Sequence, residues 1–363
     1  MRAVGGAAVE RLLGIADEGE DMFHGRAYWL RGAPMATSEG HEAKMAAAEK
    51  VLVIGGPTAS GKSALALALA ERLDGVVVNA DSMQVYRELP ILTAQPDAAT
   101  QARAPHALYG ILGIDERCSA GRWQALARAG IAEAQGQGRL PVVVGGTGLY
   151  LRALMGGLAD IPAVPEEIRA GVQARLAEMG PAAFHAELAA RDPEMAAKLN
   201  PNDRQRLTRA AEVLAATGRS LADWQRDAAA AAPAADFRTV LVAPPRDDLY
   251  AACDGRFEAM LAAGALDEAA AVGRQIAADG LAEDLPALKA LGLRELLAHL
   301  AGNLRRRDAI EAAKMATRHY AKRQMTWFKG QFLARYTIDK KLNEQSMADY
   351  AKKISDFFLT LGN

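Results

Sequence analysis

Residues 51–63 read VLVIGGPTASGKS, an apolar run of four residues followed by a glycine-rich loop that ends in Lys62 and Ser63. A short apolar run that ends in paired glycines is typical of a buried parallel strand. Apolar residues then recur at helical spacing as far as Leu73, which predicts a helix over residues 62–73. The segment therefore predicts a strand, a tight loop and a helix in direct succession.

The loop fits the pattern G-x-x-x-x-G-K-[ST], in which backbone N–H groups form a concavity for phosphate oxygens. The helix N-terminus adds partial positive charge, and Lys62 adds a full one. The Ser63 hydroxyl suits a Mg²⁺ ion, so we expect Mg²⁺ as the cofactor. We predict that a diphosphate or triphosphate binds to eight residues: Gly56, Pro57, Thr58, Ala59, Ser60, Gly61, Lys62 and Ser63.

Three further apolar runs predict strands, at Val76–Val78, Leu140–Val144 and Thr239–Val242. Strands that alternate with helical segments predict an α/β fold with a doubly wound parallel sheet. Residues 163–230 instead look helical throughout, with breaks at three X-Pro pairs: Gly180-Pro181, Asp192-Pro193 and Asn200-Pro201.

This pattern predicts four regions. Residues 1–47 show no sustained period and are predicted to be a disordered N-terminal extension. A P-loop α/β domain is predicted over residues 48–160 and 237–336, interrupted by a helical insertion at 161–236 that ends in an Ala/Pro linker, Ala228–Ala235. Residues 337–363 are predicted to form a helical tail, amphipathic around Met347–Leu361.

Composition narrows the class of protein. The formal net charge is −1, so any nucleic-acid surface must be a local patch. Cys118 and Cys253 lie far apart, which excludes a cysteine-based zinc site and fits a reducing compartment. No run approaches the roughly 18 apolar residues of a membrane span, and the N-terminus does not resemble a secretory signal. We expect a cytoplasmic monomer that does not associate with a membrane.

An acidic residue follows the second predicted strand. The strand at Leu140–Val144 ends in Gly-Gly-Thr-Gly without the acid that helps hold magnesium in many nucleotide hydrolases. Asp81 instead follows the strand at Val76–Val78, at the edge where α/β sheets build their sites. Because Asp is also a good helix N-cap, position alone leaves both interpretations open.

Four motifs together resemble the tRNA dimethylallyltransferase (isopentenyltransferase) family in its bacterial form. They are GPTASGKS at 56–63, NADSMQVYR at 79–87, VVVGGTGLYLRAL at 142–154 and TRHYAKRQMTWFK at 317–329. The resemblance covers residues 48–336 in the same order and spacing. It implies transfer of a dimethylallyl group from its diphosphate to N6 of adenosine 37 in tRNAs that read codons starting with U.

The resemblance also implies roles for individual residues. The loop would hold dimethylallyl diphosphate rather than ATP, with Lys62 and Mg²⁺ on Ser63 neutralising the leaving group, and Asp81 would be the general base. Thr147 and Arg169 match positions that touch the tRNA and assist departure of diphosphate. The adenine pocket would be lined by Asp81, Ser82, Met83 and Gln84. A second tRNA-contact segment would comprise Gln205, Arg206, Leu207, Thr208 and Arg209.

Positive charge is concentrated late in the chain. Between Asn303 and Arg335 there are nine basic residues against two acidic ones, in a chain that is otherwise nearly neutral. We interpret this segment as a surface for the tRNA anticodon stem-loop. Trp327 and Phe328 within it are predicted to be core residues rather than base-stacking platforms.

The sequence departs from the family pattern at Leu92, Gln95 and Ala107, where the family usually has glycine, lysine and histidine. Three alternatives remain open from the residues. They are prenylation of free adenine nucleotides, a P-loop kinase of small metabolites, and an ATP-gated RNA-binding protein. The helical insertion and the basic segment argue against the first alternative, because a free nucleotide needs neither.

Overall fold

The computed structural model of this chain describes residues 50–230, 235–282 and 284–360, so the predicted extension at 1–47 lies outside the described residues. The described residues form two compact units, one comprising residues 50–148 and 236–360 and the other Leu149–Ala235. The predicted insertion began at residue 161. The second unit begins earlier, at Leu149, because the helix Gly148–Gly156 belongs to it except for its first residue.

The first unit is built on one parallel sheet. Its described strands are β1 (Lys50–Gly55), β2 (Gly75–Asn79), β3 (His106–Ala107), β4 (Leu140–Gly145), β5 (Asp236–Val242) and β6 (Tyr336–Ile338). Their spatial order is β3-β2-β4-β1-β5-β6, and every neighbouring pair is parallel. The predicted α/β class and all four predicted strands are confirmed. The order places β1 and β4 side by side at the centre, with β2 next to β4.

Helices connect these strands. Those before β5 are α1 (Lys62–Leu73), α2 (Ala98–Arg103), α3 (Ala120–Gly136), α4 (Gly148–Gly156), α5 (Glu166–Arg191), α6 (Pro193–Ala197), α7 (Arg204–Thr217) and α8 (Leu221–Ala230). Those after β5 are α9 (Arg246–Ala262), α10 (Ala265–Asp279), a 3₁₀ turn (Pro286–Lys289), α11 (Leu293–Leu300), α12 (Arg306–Gln331) and α13 (Glu344–Thr360). None of the helices in the described residues is long and apolar enough to cross a bilayer.

The sheet is buried on both faces, which explains its uninterrupted apolar strands. On one face Leu52 and Ile54 pack in a cluster with residues of α1 and with Phe358 of α13. The alternate residues Val51 and Val53 are buried as well. Because both faces are covered, a site has to lie where the strands end rather than on a face of the sheet.

The C-terminal segment is part of this unit rather than a separate helical tail. β6 pairs with β5 through Tyr336, Thr337 and Ile338, and α13 packs on α1. The amphipathic pattern predicted the helix but not the strand before it, because three residues are too few to show a period.

The second unit is helical, as predicted. α5 is kinked at Gly180, whose φ is 76°, next to Pro181. The other two predicted breaks fall before α6 and between α6 and α7. The predicted linker at 228–235 is partly wrong, because α8 continues to Ala230; residues 231–234 lie outside the described residues.

Candidate active site

The 56–63 loop turns sharply between β1 and α1. Ala59 and Gly61 have left-handed backbone angles, with φ of 62° and 90°, a conformation that glycine adopts without strain. Gly61 is the N-cap of α1, so no side chain competes for the first amides of the helix. The loop therefore presents backbone N–H groups at the positive end of a helix, which is the arrangement that favours an anion.

Lys62 and Ser60 are two buried polar side chains of the loop. Lys62 is only 8% exposed, and its Nζ donates to the carbonyl of Pro57 at 3.1 Å. Burial lowers the pKa of Lys62 to about 8, against the opposing effect of the Asp81 charge. Ser60 Oγ is buried and makes no hydrogen bond to the described protein. A buried cation and a buried hydroxyl without a partner suit an anionic ligand.

Asp81 sits in a turn that Asn79 shapes at the end of β2. The Asn79 side chain accepts from the Asp81 amide at 2.7 Å and donates to the Asp81 and Leu108 carbonyls, each at 3.0 Å. Asp81 Oδ1 in turn accepts from the Met83 amide at 3.0 Å. No helix begins here in the described residues, so Asp81 stabilises a turn and is not a helix N-cap. Asp81 is half-buried at the carboxyl edge of the sheet.

Thr147 joins this turn to the loop after β4. Thr147 Oγ1 accepts from the Ser82 amide at 2.9 Å and donates to Ser82 Oγ at 3.2 Å. The hydroxyl of Tyr320, on α12, is hydrogen-bonded to Thr147. Burial raises the pKa of Tyr320, and the negative charge of Asp81 acts in the same direction. The phenol therefore stays protonated beside Asp81.

A cavity of about 290 Å³ brings several predicted residues together. Asp81, Ser82 and Met83 line it together with Thr58 of the glycine-rich loop. Its other walls come from polar side chains (Thr93, Arg256, Lys289, Thr317, Tyr320, Arg323) and apolar ones (Leu92, Cys253, Phe257, Met260, Leu291). One cavity thus contains a carboxylate, cations and an apolar wall.

Gln84 and Gln95 hold the loop that forms one wall of this cavity. Gln84 donates to the carbonyls of Thr93 and Ala94, both at 2.9 Å, and Gln95 donates to the carbonyl of Tyr86 at 2.7 Å. Both side chains are therefore engaged in shaping the loop. Of the other departures from the family pattern, Leu92 lines the cavity, and Ala107 lies in β3.

Two residues of this site carried no recognisable sequence signal. Arg256, on α9, donates to Thr58 Oγ1, and burial lowers its pKa. A single arginine in a helical segment belongs to no motif, so nothing in the sequence identifies it as a site residue. Gln324, on α12, is 5% exposed and contacts the backbone at Thr58 and Gly146. The sequence motif contained Gln324 but indicated no role for it.

The remaining predicted tRNA-contact residues lie in the second unit. Arg169 is exposed in the first turn of α5, and Gln205 and Arg206 are exposed on α7. Thr208 and Arg209 are half-buried, and Arg206 and Arg209 pair with Asp203 and Glu212 at 3.4 and 3.7 Å. Leu207 is fully buried in the core of this unit, so its side chain holds α7 in place and presents no surface to an RNA.

The basic helix α12 uses some of its cations within the protein. Arg318 contacts both carboxylate oxygens of Asp254 at 2.7 Å. Lys322 and Lys329 are exposed and line a second cavity, of about 310 Å³, together with Arg246. The inner face of the same helix is mostly apolar, and Phe328 on it is fully buried, with its ring 5.2 Å from that of Trp327.

The residues present fit a magnesium ion carried by a phosphate ligand. The described residues contain no cluster of three or more His, Cys, Asp or Glu side chains that could hold a metal. Ser63 is exposed in the first turn of α1, and a single hydroxyl suffices when phosphate oxygens and water complete the octahedron of Mg²⁺.

The fold defines a parallel α/β protein with a site at the carboxyl edge of its sheet, and comparison with known proteins gives the family. A family model described as "IPP transferase" matches residues 84–331. The tRNA dimethylallyltransferase of Rhodospirillum centenum is 58% identical over 296 residues, which cover 81% of this chain and 93% of that protein. That of Paramagnetospirillum magneticum is 52% identical over 309 residues, or 85% and 97%.

Solved structures agree with this relationship. The full-length tRNA isopentenylpyrophosphate transferase of Bacillus halodurans matches with a TM-score of 0.60 and 33% identity, covering 86% of this chain and 98% of that one. A eukaryotic dimethylallyltransferase acting on tRNA matches with a TM-score of 0.74 and 27% identity, covering 86% and 79%. The chain belongs to the tRNA dimethylallyltransferase family, as its four motifs predicted.

Proposed function

We propose that this protein transfers the dimethylallyl group of dimethylallyl diphosphate to N6 of adenosine 37 in tRNAs reading codons that start with U. The observation that carries the proposal is the cavity in which Asp81 faces Thr58 of the glycine-rich loop and Arg256. Base, leaving-group site and apolar wall then lie within one small volume. Two relatives described above are named tRNA dimethylallyltransferases, which supports this group and this class of acceptor.

The donor diphosphate would bind to the 56–63 loop. Lys62, the amides at the start of α1 and the unpartnered hydroxyl of Ser60 suit its oxygens. Arg256 adds a second, half-buried cation next to Thr58. An ion bound to Ser63 would supply charge neutralisation to the diphosphate. Since an allylic diphosphate ionises readily once its leaving group is neutralised, this end of the site supplies most of the driving force.

Asp81 is the proposed base. As the C1–O bond of the donor breaks, N6 of adenine forms a bond to C1, and one N6 proton passes to the Asp81 carboxylate while diphosphate departs. Thr147 and Ser82 hold the turn that places this carboxylate. The apolar side chains Leu92, Phe257 and Met260 exclude water, which would otherwise capture the electron-poor allylic carbon.

The tRNA must deliver an extruded adenine to this cavity, and extrusion costs a few kcal/mol. The exposed cations of α12, together with Arg169 and the exposed residues of 205–209 in the second unit, are proposed to bind the anticodon stem-loop and offset that cost. We keep a cytoplasmic monomer as a further prediction.

Labelled dimethylallyl diphosphate, offered with three acceptors, tests the proposal. The acceptors are an unmodified tRNA transcript with adenosine at position 37, the same transcript with guanosine there, and AMP. We expect label on the first alone, with one diphosphate released per transfer. Label on AMP alone would place the protein among enzymes that prenylate free nucleotides. ATP consumption without transfer would favour a kinase or an ATP-gated RNA-binding protein.

A further inference from the structure

The peptide bond between Pro57 and Thr58 is held from both sides. The Thr58 amide donates to Oε1 of Gln324 at 2.8 Å, and the Pro57 carbonyl accepts from Lys62 Nζ at 3.1 Å. In a planar trans peptide the N–H and C=O groups point in opposite directions. Gln324 therefore fixes the orientation of the carbonyl to which Lys62 is anchored.

The other end of the Gln324 side chain reaches the loop after β4. Its Nε2 donates to the carbonyl of Gly146 at 2.9 Å. A Cβ on residue 146 would lie 2.3 Å from this Nε2, so any larger residue there would displace the Gln324 amide. Residue 146 directly precedes Thr147, which holds the turn of Asp81 through Ser82. One buried amide thus connects the loop of Lys62 to the loop that positions Asp81.

We infer that Gln324 is a positioning residue, which holds the leaving-group loop and the base-bearing turn in register through its two backbone hydrogen bonds. It is not among the residues that line the cavity of Asp81. It lies on α12, the same helix that carries the exposed Lys322 and Lys329. The kinetic readout of this inference rests on the proposed function, whereas its binding readout does not.

The chemistry of the amide suggests a specific test. Gln324→Met keeps the size of the side chain but removes both hydrogen bonds. Gln324→Glu makes both bonds while its carboxyl is protonated, because a carboxylic acid has one acceptor and one donor. When it ionises it loses the donor and faces the Gly146 carbonyl. Lys62 and Arg256, the nearby cations, favour ionisation, but they do not restore the lost donor.

The experiment measures calorimetric binding of inorganic diphosphate and the rate of dimethylallyl transfer, each between about pH 5.5 and pH 8. The control is Gln331→Glu, at the exposed end of the same helix. We expect Gln324→Met to lose about tenfold or more in both readouts at every pH, about the effect of one or two hydrogen bonds in a phosphate site. Gln324→Glu should approach wild type at low pH and fall towards Gln324→Met at high pH, while Gln331→Glu follows wild type.

Two results would overturn the inference. One is wild-type behaviour of both Gln324 variants, and the other is a Gln324→Glu defect that does not change with pH while circular dichroism shows a folded protein. If Gln324→Met fails to fold, the pH dependence of Gln324→Glu still decides. If wild type binds diphosphate without prenylating tRNA, the proposed function fails, and the binding readout still tests Gln324.

Discussion

The hydroxyl of Thr147 accepts a hydrogen bond from the amide of Ser82 at 2.9 Å, which ties the loop after β4 to the turn after β2. These strands are neighbours in the sheet, so their carboxyl ends open onto the same cavity. Asp81 lies one residue before Ser82. The position of the proposed base therefore depends on a side chain 66 residues away in the sequence.

Removing this hydroxyl should slow transfer without weakening the donor site. Thr147→Val keeps the shape of the side chain but leaves the Ser82 amide without an acceptor. We expect kcat to fall about tenfold, the equivalent of a lost buried hydrogen bond, with binding of diphosphate unchanged. Steady-state kinetics and calorimetry measure the two effects. Thr337→Val, at an exposed position of β6, is the matched control. An unchanged kcat would show that Thr147 does not position the base.

Lys62 should destabilise the ligand-free protein, and the size of this effect should depend on pH. Its pKa is about 8 in the folded state against 10.5 normally, so between those values the unfolded chain binds more protons and wild-type stability rises with pH. Lys62→Met removes this penalty. We expect the variant to be more stable than wild type at pH 7, by no more than about 3 kcal/mol, with the difference shrinking towards pH 10.

Denaturant unfolding at both pH values, without diphosphate, measures this difference. An equal gap at pH 7 and pH 10 would show that titration of Lys62 is not its cause. Added diphosphate should reverse the order of stability at pH 7. It stabilises the folded wild type by binding to it, whereas the variant lacks the Lys62 cation and binds diphosphate less tightly.

The exposed cations of α12 should contribute to the salt dependence of tRNA affinity. Lys322→Ala and Lys329→Ala should each lower the slope of log affinity against log salt concentration by about one, if each contacts one phosphate. Filter binding of tRNA between low and moderate salt measures the slope. Lys340→Ala, exposed after β6, should leave it unchanged. An equal loss for all three variants would indicate a diffuse charge effect.

The last helix should be essential to the stability of the sheet unit. Phe358 is 2% exposed and packs in the same cluster as Leu52 and Ile54. Phe358→Ala should destabilise the protein by about 3–5 kcal/mol, as expected for a buried aromatic. Chemical denaturation measures this, with Phe357→Ala, half-buried on the same helix, as the milder comparison. A cost below that of Phe357→Ala would mean that α13 behaves as the separate tail that the sequence predicted.

The sequence predicted most of the sheet because its central strands are buried on both faces and read as uninterrupted apolar runs. It missed β3 and β6, since strands of two and three residues show no period and depend on neighbours that are distant in the chain. The helix breaks in the second unit were predictable because each contains a proline.

The sequence predicted site residues where they follow a strand, as at Asp81 and Thr147, or complete a recognisable motif, as at Lys62; these roles stay predictions. Arg256 and Gln324 both contact Thr58, from which they are separated by 198 and 266 positions in the sequence. Such contacts arise from tertiary packing of α9 and α12 and have no local pattern. Leu207 shows the opposite error. It lies within the segment predicted to contact tRNA, but its position on the inner face of α7 buries its side chain.

The role of Asp81 is tested by the single-turnover rate of dimethylallyl transfer to saturating unmodified tRNA, compared for wild type and Asp81→Asn. We expect Asp81→Asn to lose about 10²–10⁴-fold in this rate, the usual contribution of a general base, while it binds diphosphate and tRNA as wild type does. Transfer by Asp81→Asn at the wild-type rate, with both ligands bound, would contradict the assignment of Asp81 as the base in this cavity.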